Sequence, residues 1–146
     1  MILEFSKTVE QFELTPIEAR LFAYLYLKQE PVTLDQMSED LGNSKTSMSN
    51  SVRSLEAAHL IQKVWRKGVR KHLYMANEAL YKSFMQTYKN KWMDTIEHQL
   101  EALYLLKEEI PTGKAEDKLT EQLNTIIDFH EELRKTFLHI TINEDN

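Results

Sequence analysis

Between Ser44 and Arg53 the chain collects short hydroxyls, an amide and two cations: Ser44, Lys45, Thr46, Ser47, Ser49, Asn50 and Arg53. Met48, Val52 and Leu55 recur at spacings of 4 and 3. If those three face a core, the advance of about 100° per helical residue sends Thr46, Asn50 and Arg53 to the opposite side. That side carries no acid. An Asn amide pairs bidentately with adenine N6/N7, an Arg guanidinium with guanine O6/N7 or a phosphate, and small hydroxyls allow close approach. Further along, Arg66, Lys67, Arg70 and Lys71 surround a Lys-Gly-Val turn. Cations so placed meet phosphate or enter a minor groove, adding affinity and register more than sequence choice. The chemistry on offer is recognition of double-stranded DNA; a solvated helix face without a role is the competing reading.

The charge distribution points the same way. Residues 44–91 hold ten Lys/Arg against only Glu56 and Glu78, a local balance of +8, while the whole chain sums to −5 and the remainder therefore carries −13. Phosphate contact follows the local field rather than the average. Other chemistries find little material. Three glycines, Gly42, Gly68 and Gly113, build no phosphate loop, and His59, His72, His98, His130 and His139 give neither an i,i+4 pair nor an HExxH pattern. Cysteine is absent, which removes thiol nucleophiles, thiolate metal sites and disulfides together. With no nucleophile–base pair either, the expectation is a non-enzyme without metal or cofactor.

The elements that must hold these residues are helical. Ile2, Phe5, Val9 and Phe12 form an amphipathic stripe. Thr15-Pro16-Ile17-Glu18 is a capping-box start for a helix that is apolar on nearly every side to Leu27, suited to a central post. Thr33-Leu34-Asp35-Gln36 repeats the pattern before a short helix closed by Gly42, and Ser44 caps the next. Ile61–Arg66 and Arg70–Met75 alternate as strands around Lys67-Gly68-Val69, a hairpin with a basic tip. Trp65, at its base, is expected to pack.

From a cap at Asn77 one helical pattern runs to Ile110, ended by Pro111-Thr112-Gly113. A last helix places Leu119, Leu123, Ile126, His130, Leu133, Phe137 and Ile140 at a 3.5-residue period, a seam that wants a facing helix from the same chain or a second copy. The expected fold is mainly α with a small β-hairpin wing: a winged helix-turn-helix head on a long-helix dimerisation body. Its divisions are 1–14, an N-terminal dimerisation helix; 15–77, the DNA-binding head; and 78–146, a C-terminal helical dimerisation region. Acidic residues at Glu4 and Glu10 argue against a leader or membrane anchor at the start, so a cytoplasmic protein without membrane contact is expected.

The run Thr33 to Tyr74, especially SKTSMS, VRSL and the wing VWRKGVRK, resembles the GbsR-type branch of MarR-like repressors, and the resemblance extends upstream through Pro16 and Leu25 and downstream from Tyr81 to Trp92. A general MarR wing tends to carry an Asp-Arg pair where Val69-Arg70-Lys71 stands here. The resemblance implies a homodimeric repressor of choline uptake or glycine betaine synthesis genes with choline as inducer, and a dimer in turn predicts a palindromic operator. It places Lys45, Thr46, Ser47, Ser49 and Arg53 in the recognition helix and Arg66, Lys67, Arg70 and Lys71 in the wing.

A quaternary ammonium donates no hydrogen bond and is held by aromatic faces. Tyr81, Phe84, Tyr88 and Trp92 share one side of the long helix, and Phe12, Tyr24 and Tyr26 lie on helices expected to touch it. Phe12, Tyr24, Tyr88 and Trp92 are the candidate effector residues, with an aromatic core as the alternative. Two rivals stay open: a MarR-like regulator with an unrelated effector, and a winged-helix protein-interaction module.

Overall fold

The computed structural model describes residues 1–140 and 142, so the end of the 78–146 segment lies outside the described residues. The chain divides into two compact units, Met1–Thr87 and the residues from Tyr88 on.

In the first unit, helix α1 (Ile2–Glu10) turns its stripe inward. The Phe5 ring lies 6.2 Å from Phe22 and 5.6 Å from Tyr26, Val9 is buried, and Phe12, just past the helix, sits 5.0 Å from Phe84. Helix α2 (Pro16–Lys28) starts where the sequence asks. Thr15 Oγ1 accepts from the Glu18 N–H at 3.2 Å and donates to the Glu18 carboxylate at 2.9 Å, so the first turn is satisfied by its own cap. Ala19 and Leu21 to Leu25 are buried, which makes α2 the post around which the unit packs.

Strand β1 (Val32–Thr33) leads directly into helix α3 (Leu34–Leu41), whose start is capped by Thr33 accepting from Gln36 N–H at 3.2 Å. Gly42 stops it in the left-handed region, φ 68°, donating to Ser38 O at 3.0 Å. Helix α4 (Lys45–Ala57) follows at once. The chain then reverses at His59, φ 58°, while Leu60 N–H returns to Leu55 O at 3.0 Å, and both leucines are buried.

Strands β2 (Ile61–Val64) and β3 (Leu73–Ala76) pair antiparallel, with Ile61 opposite Ala76 and Val64 opposite Leu73. β1 adds to the far side of β3, Val32 opposite Tyr74, giving the order β1-β3-β2. Two expectations are corrected here. The hairpin strands stop short of the predicted Ile61–Arg66 and Arg70–Met75, because Arg66, Lys67, Arg70 and Lys71 gain more from solvation than from lying across from one another. The third strand was not foreseen, since two residues carry no period.

Helix α5 (Leu80–Glu109) is led in by Asn77, whose Oδ1 accepts from Ala79 N–H at 3.0 Å. Its first two turns belong to the first unit, where Phe84 is buried and the Thr87 hydroxyl donates to Ala58 O at 2.8 Å.

In the second unit the rest of α5 packs on helix α6 (Lys114–Leu138) through Ile96, Leu100, Leu123 and Ile127. The 3.5-period seam is thereby corrected in part: Leu123 faces this core, whereas Leu119 and Ile126 are exposed and Ile127 is buried in place of Ile126. A helix of 3.6 residues per turn drifts off a strict heptad, so successive core positions here step by four. Leu133 and Phe137 remain partly buried against the cluster. Among the described residues no helix is long and apolar enough to cross a membrane.

Candidate nucleic-acid interface

Helix α4 is seated by Met48, Val52 and Leu55, each at most 3 % exposed. Its other side is open: Lys45, Thr46, Asn50 and Arg53 are exposed, Ser47 and Ser49 half-buried. The Ser44 hydroxyl accepts from Ser47 N–H at 3.1 Å, so this residue is committed first to starting the helix.

The turn between α3 and α4, and the two helices beside it, are fixed by polar ties. Ser38 Oγ donates to Asn43 O at 2.5 Å, the Arg20 guanidinium to Leu41 O at 3.0 Å, and Ser54 Oγ to the Glu18 carboxylate at 3.0 Å. Tyr24 OH donates to Asp40 at 2.5 Å. Burial, then the Asp40 carboxylate, pushes the Tyr24 phenol well above its ordinary range, while the same hydrogen bond holds Asp40 below the usual carboxylate range. α2 thus positions both short helices of the head.

The loop between β2 and β3 turns at Gly68, φ 81°, with Val69 N–H on Arg66 O at 3.1 Å. Arg66, Lys67, Arg70 and Lys71 are all exposed there. Trp65, expected to pack, is instead 81 % exposed. One acid joins the two basic elements: the Asp35 carboxylate, in the first turn of α3, lies 2.7 Å from Lys71 Nζ and 3.0 Å from Lys45 Nζ. These two ammonium groups, Lys71 first, hold Asp35 below the usual carboxylate range. Sequence reasoning used Asp35 only as part of a cap and missed this bridge, since nothing local tells which distant cations an acid will meet. Among the described residues, Arg53, Arg66, Lys67 and Arg70 form no ion pair, and their charge is available to a polyanion.

The four candidate effector residues divide between the units. Phe12 lines an apolar cavity of about 250 Å³ together with Phe5, Leu80, Tyr81 and Phe84. Tyr24 does not line it; its ring is buried and its hydroxyl is taken by Asp40. Tyr88 and Trp92 meet Phe137 in the second unit, Trp92 stacked on Phe137 at 5.2 Å and Tyr88 edge-on at 6.1 Å. The Trp92 Nε1–H is buried there and meets no acceptor among the described residues.

Three short helices closed by a small antiparallel sheet, with a basic loop beside an exposed polar helix, define a winged helix-turn-helix transcription regulator. A solved transcriptional regulator has the same fold, with a TM-score of 0.65 at 17 % identity over 93 % of this chain and 92 % of that one. The TrmB family model, described as sugar-specific transcriptional regulator, matches residues 9–79. The HTH-type transcriptional repressor OpcR of Bacillus subtilis (strain 168) is 30 % identical over 135 residues, 86 % of this chain and 72 % of that protein. The HTH-type transcriptional repressor GbsR of the same organism is 25 % identical over 132 residues, 90 % of this chain and 73 % of that protein. The chain belongs to the family of helix-turn-helix transcriptional regulators that contains OpcR, and it is a regulator, not an enzyme.

Proposed function

We propose that this chain is a repressor that binds a two-fold symmetric operator as a homodimer and releases it when a small organic cation, choline or a relative, is bound. The observation that carries the reading is the exposed, acid-free face of α4, Thr46, Asn50 and Arg53 above a core of Met48, Val52 and Leu55. In this reading residues 15–77 are the DNA-binding head, and 1–14 with 78–146 hold the dimer. α4 enters the major groove, where Asn50 and Arg53 meet base edges, while Ser44, Lys45, Thr46, Ser47 and Ser49 meet phosphates or bases. The wing cations Arg66, Lys67, Arg70 and Lys71 meet the backbone. A regulator that works on chromosomal operators acts in the cytoplasm. Fluorescence anisotropy of a labelled duplex, titrated with the full chain at several salt concentrations, tests it: affinity falls steeply with salt, with a log–log slope of about −0.9 per phosphate neutralised. A fold-intact protein that ignores every duplex at low ionic strength ends the proposal and leaves the protein-interaction module standing.

The dimer reading draws on the second unit. Leu105, Leu106, Leu119, Ile126 and Phe129 are all exposed, and Leu106, Leu119 and Ile126 border an open apolar groove of about 650 Å³. Large apolar side chains gathered along two packed helices suit the matching face of a second copy. Replacing Leu119 and Ile126 together with aspartate is expected to shift sedimentation equilibrium to the monomer and to weaken operator binding, with helicity retained. A wild type that sediments as a monomer at tens of micromolar removes the dimer.

The effector reading is supported by the aromatic cavity of Phe5, Phe12, Tyr81 and Phe84 and by the Tyr88–Trp92–Phe137 cluster. GbsR, a repressor to which the chain is similar, brings in control of osmoprotectant genes through the resemblance noted above. A sugar is the second reading, favoured by the description of the matched family. Sugars need paired hydrogen-bonding groups, whereas the cavity is walled by carbon and aromatic faces, which suit a quaternary ammonium. Either effector must bind the DNA-competent and incompetent states with different affinity to act at all.

A further inference from the structure

We propose that Trp65 is a DNA-contacting residue of the wing, its indole pressed against deoxyribose and base edges in the minor groove while the neighbouring cations seat on phosphates. The inference rests on the duplex-binding reading above.

Of the two tryptophans in the chain, Trp92 is packed among aromatic rings, whereas Trp65 is 81 % exposed. A flat apolar ring with an N–H donor at its edge is seldom left to water without a partner that uses both. The surroundings say which partner. Trp65 follows directly on Val64, the last paired residue of β2, so it is the first residue of the loop, tied to the end of the ladder and not at the loop's tip. It borders an open depression of about 610 Å³ shared with Lys63, Arg66, Val69, Arg70 and Lys71. Four cations around one indole oppose docking of an ordinary apolar protein surface, because each would lose its hydration there. A duplex satisfies both demands: phosphates for the cations, and apolar sugar faces and base edges between them. Apolar side chains that press into a minor groove are a known means of gripping and bending DNA, and they add affinity without adding charge.

This last property separates the indole from its neighbours experimentally. Trp65→Ala is expected to lower affinity for a mixed-sequence duplex about tenfold, the scale of one lost aromatic contact with nucleic acid, while the slope of log affinity against log salt stays at the wild-type value. Trp65→Phe should retain part of the affinity. The wild-type emission minus that of Trp65→Phe isolates the Trp65 signal with Trp92 untouched; on duplex binding it should move to shorter wavelength and lose accessibility to acrylamide, a neutral quencher. Circular dichroism of both variants checks the fold. An indole as accessible to acrylamide in the complex as in the free protein, or an affinity within twofold of wild type for Trp65→Ala, overturns the contact and points to a protein partner for this ring while duplex binding stands. A flattened salt slope in Trp65→Ala overturns it too, since the loss would then come from displaced cations. If the wild type binds no duplex, the repressor reading and this contact fall together.

Discussion

Replacing Arg53 and Arg70 together with glutamate lowers duplex affinity on the order of a thousandfold, with the thermal unfolding transition where it was. Both guanidinium groups are exposed and, among the described residues, without an ion pair, so their loss leaves no orphaned acid and shifts stability by no more than about 0.5 kcal/mol. Each reversal removes one attraction to the polyanion and adds one repulsion. The two positions differ in kind. Arg53 lies on the exposed face of α4, where a base edge is the partner, and its single alanine variant is expected to cost about 1 to 3 kcal/mol and narrow the gap between operator and random duplex. Arg70 lies in the wing, and its alanine variant should weaken all duplexes alike and flatten the salt slope by about one phosphate contact. Anisotropy titrations with operator and scrambled duplexes at three salt concentrations separate these outcomes. A double-glutamate protein that binds within threefold of wild type would remove both residues from the interface.

How much of this was legible beforehand depended on whether the signal was local. The caps at Thr15, Thr33 and Ser44, the stop at Gly42 and the burial of Met48, Val52 and Leu55 all stand where the sequence put them, because each is decided within one or two helical turns. The hairpin was legible as a hairpin but not in its extent, since solvation of four clustered cations, not alternation, sets where pairing stops. The Asp35 bridge to Lys45 and Lys71 joins residues that only the tertiary fold brings together, and it was not visible. The same holds for the C-terminal helix. Its apolar pattern announced a seam, yet which of Ile126 and Ile127 turns inward depends on the rotation of α6 against α5, and adjacent residues differ by about 100°. Trp65 inverts the usual lesson: an aromatic beside a strand reads as core, and its exposure could be learned only from the fold. The candidate effector rings were found by type, but their division, with Phe12 at a cavity of the first unit and Trp92 in a cluster of the second, was not foreseeable from spacing.

Phe22→Ala is expected to destabilise the head by about 3 to 5 kcal/mol, a large share of the roughly 5 to 15 kcal/mol available to a domain. The ring is fully buried and touches three others: Phe84 edge-on at 4.9 Å, Tyr26 stacked at 6.1 Å and Phe5 at 6.2 Å. It therefore couples α1, α2 and the start of α5, and a cavity at that point cannot close without moving one of them. The melting temperature should fall by roughly 15 to 30 °C, and urea unfolding should lose midpoint with little change of slope. Operator affinity, in contrast, should recover when measured well below the new transition, because Phe22 is buried among α1, α2 and the start of α5 and is not part of the reading face. A loss near 1 kcal/mol would mean that α1 is held by something other than this aromatic cluster. In a protein proposed to dimerise partly through residues 1–14, the natural candidate would be α1 of a second copy, and a dependence of the melting temperature on protein concentration would distinguish that arrangement from the intrachain packing described above.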